Sequence, residues 1–130
     1  MENILPRTVL FADTNPEARQ LYVKYLKDAH IDVVVCEDLD NLLPALATSK
    51  PLVLIFNSGQ AIKDHFPLFV QAKAIYPELF IITMGYAIAE DDLDALMRLG
   101  VSCHVNRSLT RPQDIVTAAE QVMYAAHQRN

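Results

Sequence analysis

Five short, β-branched apolar runs alternate along this chain with longer stretches whose apolar residues recur at helical spacing. Thr8-Val9-Leu10-Phe11-Ala12 reads as a buried strand ending at Asp13, and Thr14-Asn15-Pro16 supplies the cap chemistry of a following helix. In that helix Leu21, Tyr22, Tyr25, Leu26 and Ala29 keep one apolar face. Ile31 to Cys36 is a second strand, and Leu42, Leu43, Leu46 and Ala47 mark a short second helix. Leu52 to Phe56 is a third strand, bounded by the turn signal Asn57-Ser58-Gly59. A third helix is predicted from about Ile62 to Asp64, with Pro67 in its first turn, stopping ahead of Pro77. Leu79 to Met84 is the fourth strand, with Gly85 at its exit. Glu90, Asp91, Asp92 and Asp94 open a fourth helix that stops at Gly100, as the helix dipole and glycine's freedom favour. Val101 to Val105 is the fifth strand, and Thr110 is positioned to cap a fifth helix carrying Ile115, Ala118, Ala119, Val122 and Met123 inward.

Strands that are apolar almost throughout must be covered on both faces, so the sheet is parallel with helices on either side. The fold expected is α/β: a doubly wound, five-stranded parallel sheet of flavodoxin-like order, a (βα)5 three-layer sandwich. The 130 residues fit one domain, 1–130, as an independent unit or as the N-terminal piece of a longer protein. Such a domain buries roughly two-thirds of its unfolded surface, enough to need no staple. A net charge of −5 argues against nucleic acid or an anionic membrane as partner. The longest apolar run, Leu52 to Phe56, is far too short to span a bilayer, and no signal peptide opens the chain. Cys36 and Cys103 lack metal-site spacing and read as reduced, buried thiols, which points to the cytoplasm.

In a sheet of this kind the working crevice lies at the carboxyl ends of the strands. The residues leaving those ends are Asp13-Thr14, Asn57-Ser58-Gly59, Met84-Gly85-Tyr86 and Asn106-Arg107-Ser108. At these four places the chain resembles the receiver domains of response regulators, over Thr8 to about Ala126. That family carries two adjacent acids after the first strand, a phosphoacceptor aspartate after the third, Ser or Thr after the fourth and Lys-Pro after the fifth. Val9-Leu10-Phe11-Ala12-Asp13-Thr14-Asn15-Pro16-Glu17 is similar to the first segment, with Asp13 kept and Thr14 in place of the acid that binds magnesium directly. Pro51 to Asn57 resembles the third and puts Asn57 at the phosphoacceptor position. Ile81 to Ala87 resembles the fourth, with Met84 at the hydroxyl position, or Thr83 if the register shifts by one. Gly100 to Leu109 resembles the fifth, with Arg107 for Lys and Ser108 for Pro. His104 falls where the family often has a switching aromatic side chain, and a histidine there offers proton sensitivity or a plain strand-end role.

Phosphoryl transfer to such a site needs a carboxylate nucleophile and a hard cation. Asn57 is a neutral amide, and Asp13 is the one acidic magnesium ligand left, so magnesium binding is expected to be weak or absent and no other cofactor is implied. Asp13 is free to cap the following helix or to pair with Arg107, and Asn57 to bond within its own turn. Ser58 has no base nearby to make it a substitute nucleophile, and the Glu90 to Asp94 acids read as a solvated helix start. Cys103 and His104 point to opposite faces of a strand and form no nucleophile–base pair, so no enzyme is expected. The resemblance implies a degenerate receiver in two-component or phosphorelay signalling, not phosphorylated at Asn57 and acting through protein contacts. Its partner would be a signalling protein, an output domain or a second copy, through the face from Ile88 to His127. Asn57→Asp alone is not expected to restore phosphorylation, because Thr14 still withholds a metal ligand. Two alternatives stand beside this reading: a small-ligand sensor using the crevice of Asp13, Asn57, Met84 and Arg107, and a receiver phosphorylated by a divergent route.

Overall fold

The computed structural model of the chain describes residues 7–59 and 62–128. Its elements run β1 (Thr8–Ala12), α1 (Pro16–Asp28), β2 (Asp32–Cys36), α2 (Leu42–Ser49), β3 (Val53–Gly59), α3 (Phe66–Ile75), β4 (Phe80–Gly85), α4 (Glu90–Arg98), β5 (Val101–Asn106) and α5 (Pro112–Gln128). Short 3-10 turns at Leu39–Asn41 and Ile62–His65 lead into α2 and α3. The strands form one parallel sheet in the order β2-β1-β3-β4-β5, the doubly wound arrangement that the alternation requires.

Side chains alternate across each strand, and each face of the sheet buries its own layer. Val9, Phe11, Val53, Ile55 and Ile82 pack under Tyr22 and Leu26 of α1 and Ile115, Ala119 and Met123 of α5. Leu10, Leu54, Phe56 and Ile81 pack under Leu42 and Leu46 of α2, Phe69 of α3 and Leu96 of α4. Phe56 meets Phe69 edge to face at 5.0 Å, the geometry that ring quadrupoles favour. Among the described residues no helix is long and apolar enough to cross a membrane.

Three local expectations need correction. The segment Asn57-Ser58-Gly59 continues β3 as strand, because β4 runs on to Gly85 and offers partners: Asn57 pairs with Met84, then Gly59 with Gly85 across a register shift. β2 is covered only in part, with Val34 and Val35 exposed, because it is an edge strand under the margins of α1 and α2. Thr110 does not cap α5. Its hydroxyl donates to the Asn106 carbonyl (2.9 Å), while the Asp114 carboxylate accepts from the Arg111 backbone N–H (2.7 Å). With Pro112 opening the helix, the N-cap residue is Arg111, which has no acceptor of its own, so the acid three residues on reaches back. At α1 the cap is as expected: the Asn15 side chain accepts from the N–H groups of Glu17 and Ala18. At the end of α2, Lys50 takes the left-handed conformation (φ 46°) that glycine usually supplies.

Candidate functional site

β1 and β3 lie side by side, and the chain leaves them toward opposite faces of the sheet. That switch point is where a doubly wound fold opens a crevice at its carboxyl edge. Asp13 stands there directly after β1 and Asn57 within β3, only 3 % and 7 % exposed. Asn57 Nδ2 donates to Asp13 Oδ2 at 2.8 Å, and the Asn15 backbone N–H donates to Asp13 Oδ1 at 2.9 Å. A buried carboxylate is tolerable only when it is hydrogen-bonded, and both of its oxygens are. The orientation of the Asn57 amide follows, since a flipped amide would set oxygen against oxygen. Asn57 Oδ1 is buried and finds no hydrogen-bond donor among the described residues.

Among the described residues, therefore, Asp13 neither pairs with Arg107 nor caps α1, and the Asn57 side chain bonds to Asp13 and not within its own loop. The nearer Asn57 amide takes the place that an arginine was expected to fill, and Asn15 performs the capping. Arg107 is turned elsewhere. Its backbone N–H donates to the Gly85 carbonyl at 2.8 Å, and its guanidinium carbon lies 6.0 Å from the centre of the Tyr86 ring. Thr14 is exposed. Met84 is fully buried and is the register partner of Asn57, whereas Thr83 pairs with Phe56 in the alternate row. The residue on Asn57's row is thus a thioether, and the Thr83 hydroxyl serves the other face.

On that other face Thr83 and His104 are register partners between β4 and β5. The Thr83 hydroxyl lies 2.8 Å from His104 Nδ1, and His104 Nε2 lies 3.0 Å from the Tyr86 carbonyl. A carbonyl only accepts, so Nε2 carries a hydrogen, while the Thr83 hydroxyl, able to donate or accept, is bonded to Nδ1. His104 is thereby half-buried and bonded at both nitrogens, not a loose strand-end group. Cys103, by contrast, packs against the α1/α5 layer. Burial raises the thiol pKa of Cys103, and likewise of Cys36 despite a hydrogen bond to the Asp38 carbonyl.

Two residues that the sequence reading passed over complete the crevice. Arg19 Nη1 donates to the Asp13 carbonyl at 3.0 Å, and Nη2 lies 3.4 Å from Glu37, tying the ends of β1 and β2 together. An arginine one position from the buried Ala18 and three from the buried Tyr22 is a cation on the inward side of α1, and that misplacement was the available signal. Lys63, ahead of α3, lies 3.4 Å from Asp92, while Glu90, Asp91 and Asp94 are exposed, as a solvated helix start requires. The Ser58 side chain falls outside the described residues.

The magnesium that the resemblance implies does not fit these groups. One carboxylate remains, both of its oxygens are engaged, and an amide N–H points at it where a second anion would stand. Among the described residues no group of three potential metal-ligating side chains exists.

No protein-family model and no curated protein matches the sequence. Solved structures do match. A CheY-like receiver domain protein from Methanospirillum hungatei superposes with a TM-score of 0.85 at 10 % identity, covering 97 % of this chain and all of that one. Chemotaxis protein CheY4 of Vibrio cholerae gives 0.79 at 16 % identity, over 91 % of this chain and 99 % of that one. NtrX of Brucella abortus gives 0.81 at 17 % identity over 94 % of this chain, which spans only 27 % of NtrX. The structural neighbours of this chain are response-regulator receiver domains, and its fold is theirs.

Proposed function

We propose that this chain is a receiver-type module of two-component or phosphorelay signalling in the cytoplasm that is not phosphorylated at Asn57 and works by protein contact. The observation that carries this reading is the bond from the Asn57 amide to the Asp13 carboxylate. It replaces an anionic nucleophile with a poor one and satisfies by hydrogen bonding the charge that a cation would otherwise have to neutralise. The other departures support it: Thr14 lies outside, Met84 brings no hydroxyl, and Arg107 lies against Tyr86. On this reading the module is no enzyme.

Contact would be made by the α4–β5–α5 face. Leu93, Met97, Leu109 and Tyr124 are exposed there, between Ile88 and His127, and Tyr86 adjoins them. Exposed large apolar side chains are what a protein interface uses. The partner is a signalling protein, an output domain or a second copy of the chain. Intact-mass analysis after incubation with magnesium and acetyl phosphate, beside a magnesium titration, tests the reading. No adduct and no saturable metal binding are expected. A phosphoryl adduct on any side chain overturns it.

A further inference from the structure

Helix α3 carries apolar side chains on every side. Those turned inward are accounted for: Phe69 and Ala72 are buried, and Phe66, Leu68 and Tyr76 pack against the same core layer. Turned outward are Pro67, Val70, Gln71, Ala74 and Ile75, all of them exposed, Val70 by 49 % and Ile75 by 55 %. Their spacing lines one face of a helix, and no charge lies among them. Lys73, the one charged residue of α3, is half-buried and donates to the carbonyls of Pro77 (2.8 Å) and Leu79 (2.9 Å) below the helix. A helix apolar all round is normally covered all round, and this one is left open on one face.

We propose that the outward face of α3 is covered by α3 of a second copy of the chain, packed antiparallel about a two-fold axis between Val70 and Gln71. That point is the middle of the helix, which runs Phe66–Ile75. The face is complementary to itself in this register, as a two-fold contact requires. Pro67 meets Ala74 of the second copy, and Val70 meets Gln71, whose amide can both donate and accept beside the axis. Beyond the helix ends, Lys63 meets Glu78 of the second copy, once on each side of the axis. Both residues are exposed, and the Lys63 side chain, 65 % open although 3.4 Å from Asp92, can reach a second carboxylate. The helix dipoles oppose each other as well. A parallel pair would set Lys63 against Lys63 and align the dipoles. One helix per copy covers less than the roughly 800 Å² per partner of a standard stable interface, so the pair is weak, with a Kd of about 0.1–1 mM. The contact shares no residue with the α4–β5–α5 face.

Sedimentation of the whole chain between about 20 μM and about 1 mM tests this, and the mean mass should climb from one chain toward two. Val70→Glu, at an exposed position, puts a carboxylate from each copy beside the axis and should weaken association about tenfold. Lys63→Glu and Glu78→Lys should each weaken it about three- to tenfold, and the two together should return it to within about twofold of the parent. Met97→Glu, on α4, should leave it unchanged. A chain that stays single at about 1 mM leaves the face to some other occupant and overturns the proposal. So does association lost in Met97→Glu but kept in Val70→Glu, or a charge swap no better than its single variants.

Discussion

Asn57→Asp converts the amide that donates to Asp13 Oδ2 across 2.8 Å into a second carboxylate at the same distance. The charge-assisted bond, worth about 1.5–3 kcal/mol, is lost. In its place stand two anions whose repulsion at about 4 Å is roughly 4 kcal/mol for an effective dielectric near 20. The fold can escape that repulsion by keeping one proton on the pair. Holding a carboxyl of ordinary pKa neutral at pH 7 costs about 4 kcal/mol, part of which the shared O–H···O bond returns. The variant should therefore be about 3 kcal/mol less stable at pH 7, a drop of about 10 °C in Tm for a domain of this size. The pH dependence has a definite sign. The folded variant binds a proton that its unfolded chain releases above about pH 4, so the deficit shrinks as the pH falls toward 5. Added magnesium should recover part of the loss by sitting between the carboxylates, whereas the parent should be indifferent to it. Thermal melts of both proteins at pH 5, 6, 7 and 8, in EDTA and in magnesium, make the measurement. A variant as stable as the parent at pH 7 in EDTA, or a deficit unchanged at pH 5, would refute the account of the crevice.

Arg19→Gln removes the guanidinium from the Asp13 carbonyl and Glu37, and should cost about 1–2 kcal/mol by urea unfolding while leaving the far layer's NMR shifts unmoved. Thr83→Val keeps the shape of a fully buried side chain but strips His104 Nδ1 of its partner; about 1 kcal/mol should be lost, and amide exchange at Tyr86 should quicken. Lys50→Gly relieves a left-handed lysine and should raise stability by about 1 kcal/mol, some 3–5 °C in Tm. Cys36 and Cys103, their thiols pushed up by burial, should react slowly with iodoacetamide near pH 8 in the folded chain and quickly once it is unfolded. The same shifts make folded stability fall as the pH climbs past the usual thiol range, because only the unfolded chain ionises there.

The sheet was legible because strand burial is written in the sequence as β-branched runs, and order followed from the βα alternation. What ran off the page were the places where a neighbour decides. β3 passes through a turn signal because β4 supplies pairing as far as Gly85, which no local propensity records. β2 looks like a core strand in composition, and its exposure follows only from its place at the edge. At the site, the strand ends and the receiver resemblance single out Asp13, Asn57 and Met84, but not which of their groups bond. An ion pair with Arg107 looked natural from charge, while the bond that forms is a buried amide to a carboxylate. Sequence distance says nothing of which donor arrives first.

The departures also make sense as a set. With the Asn57 amide and the Asn15 N–H on its two oxygens, the Asp13 carboxylate is held without a cation beside it, and Arg107 lies against Tyr86 instead. Tyr86 in turn gives its carbonyl to His104, whose other nitrogen takes the Thr83 hydroxyl from the row next to Met84. These groups tie the β4–α4 connection to β5, beside the exposed side chain of Tyr86. On the proposed reading, a contact surface presented without a phosphoryl group needs other bonds to hold its loops, and these supply them. Asn57→Asp would break one bond while Thr14, Met84 and Arg107 stay as they are. The loss expected of Asn57→Asp in the absence of magnesium is the measurable form of that interdependence.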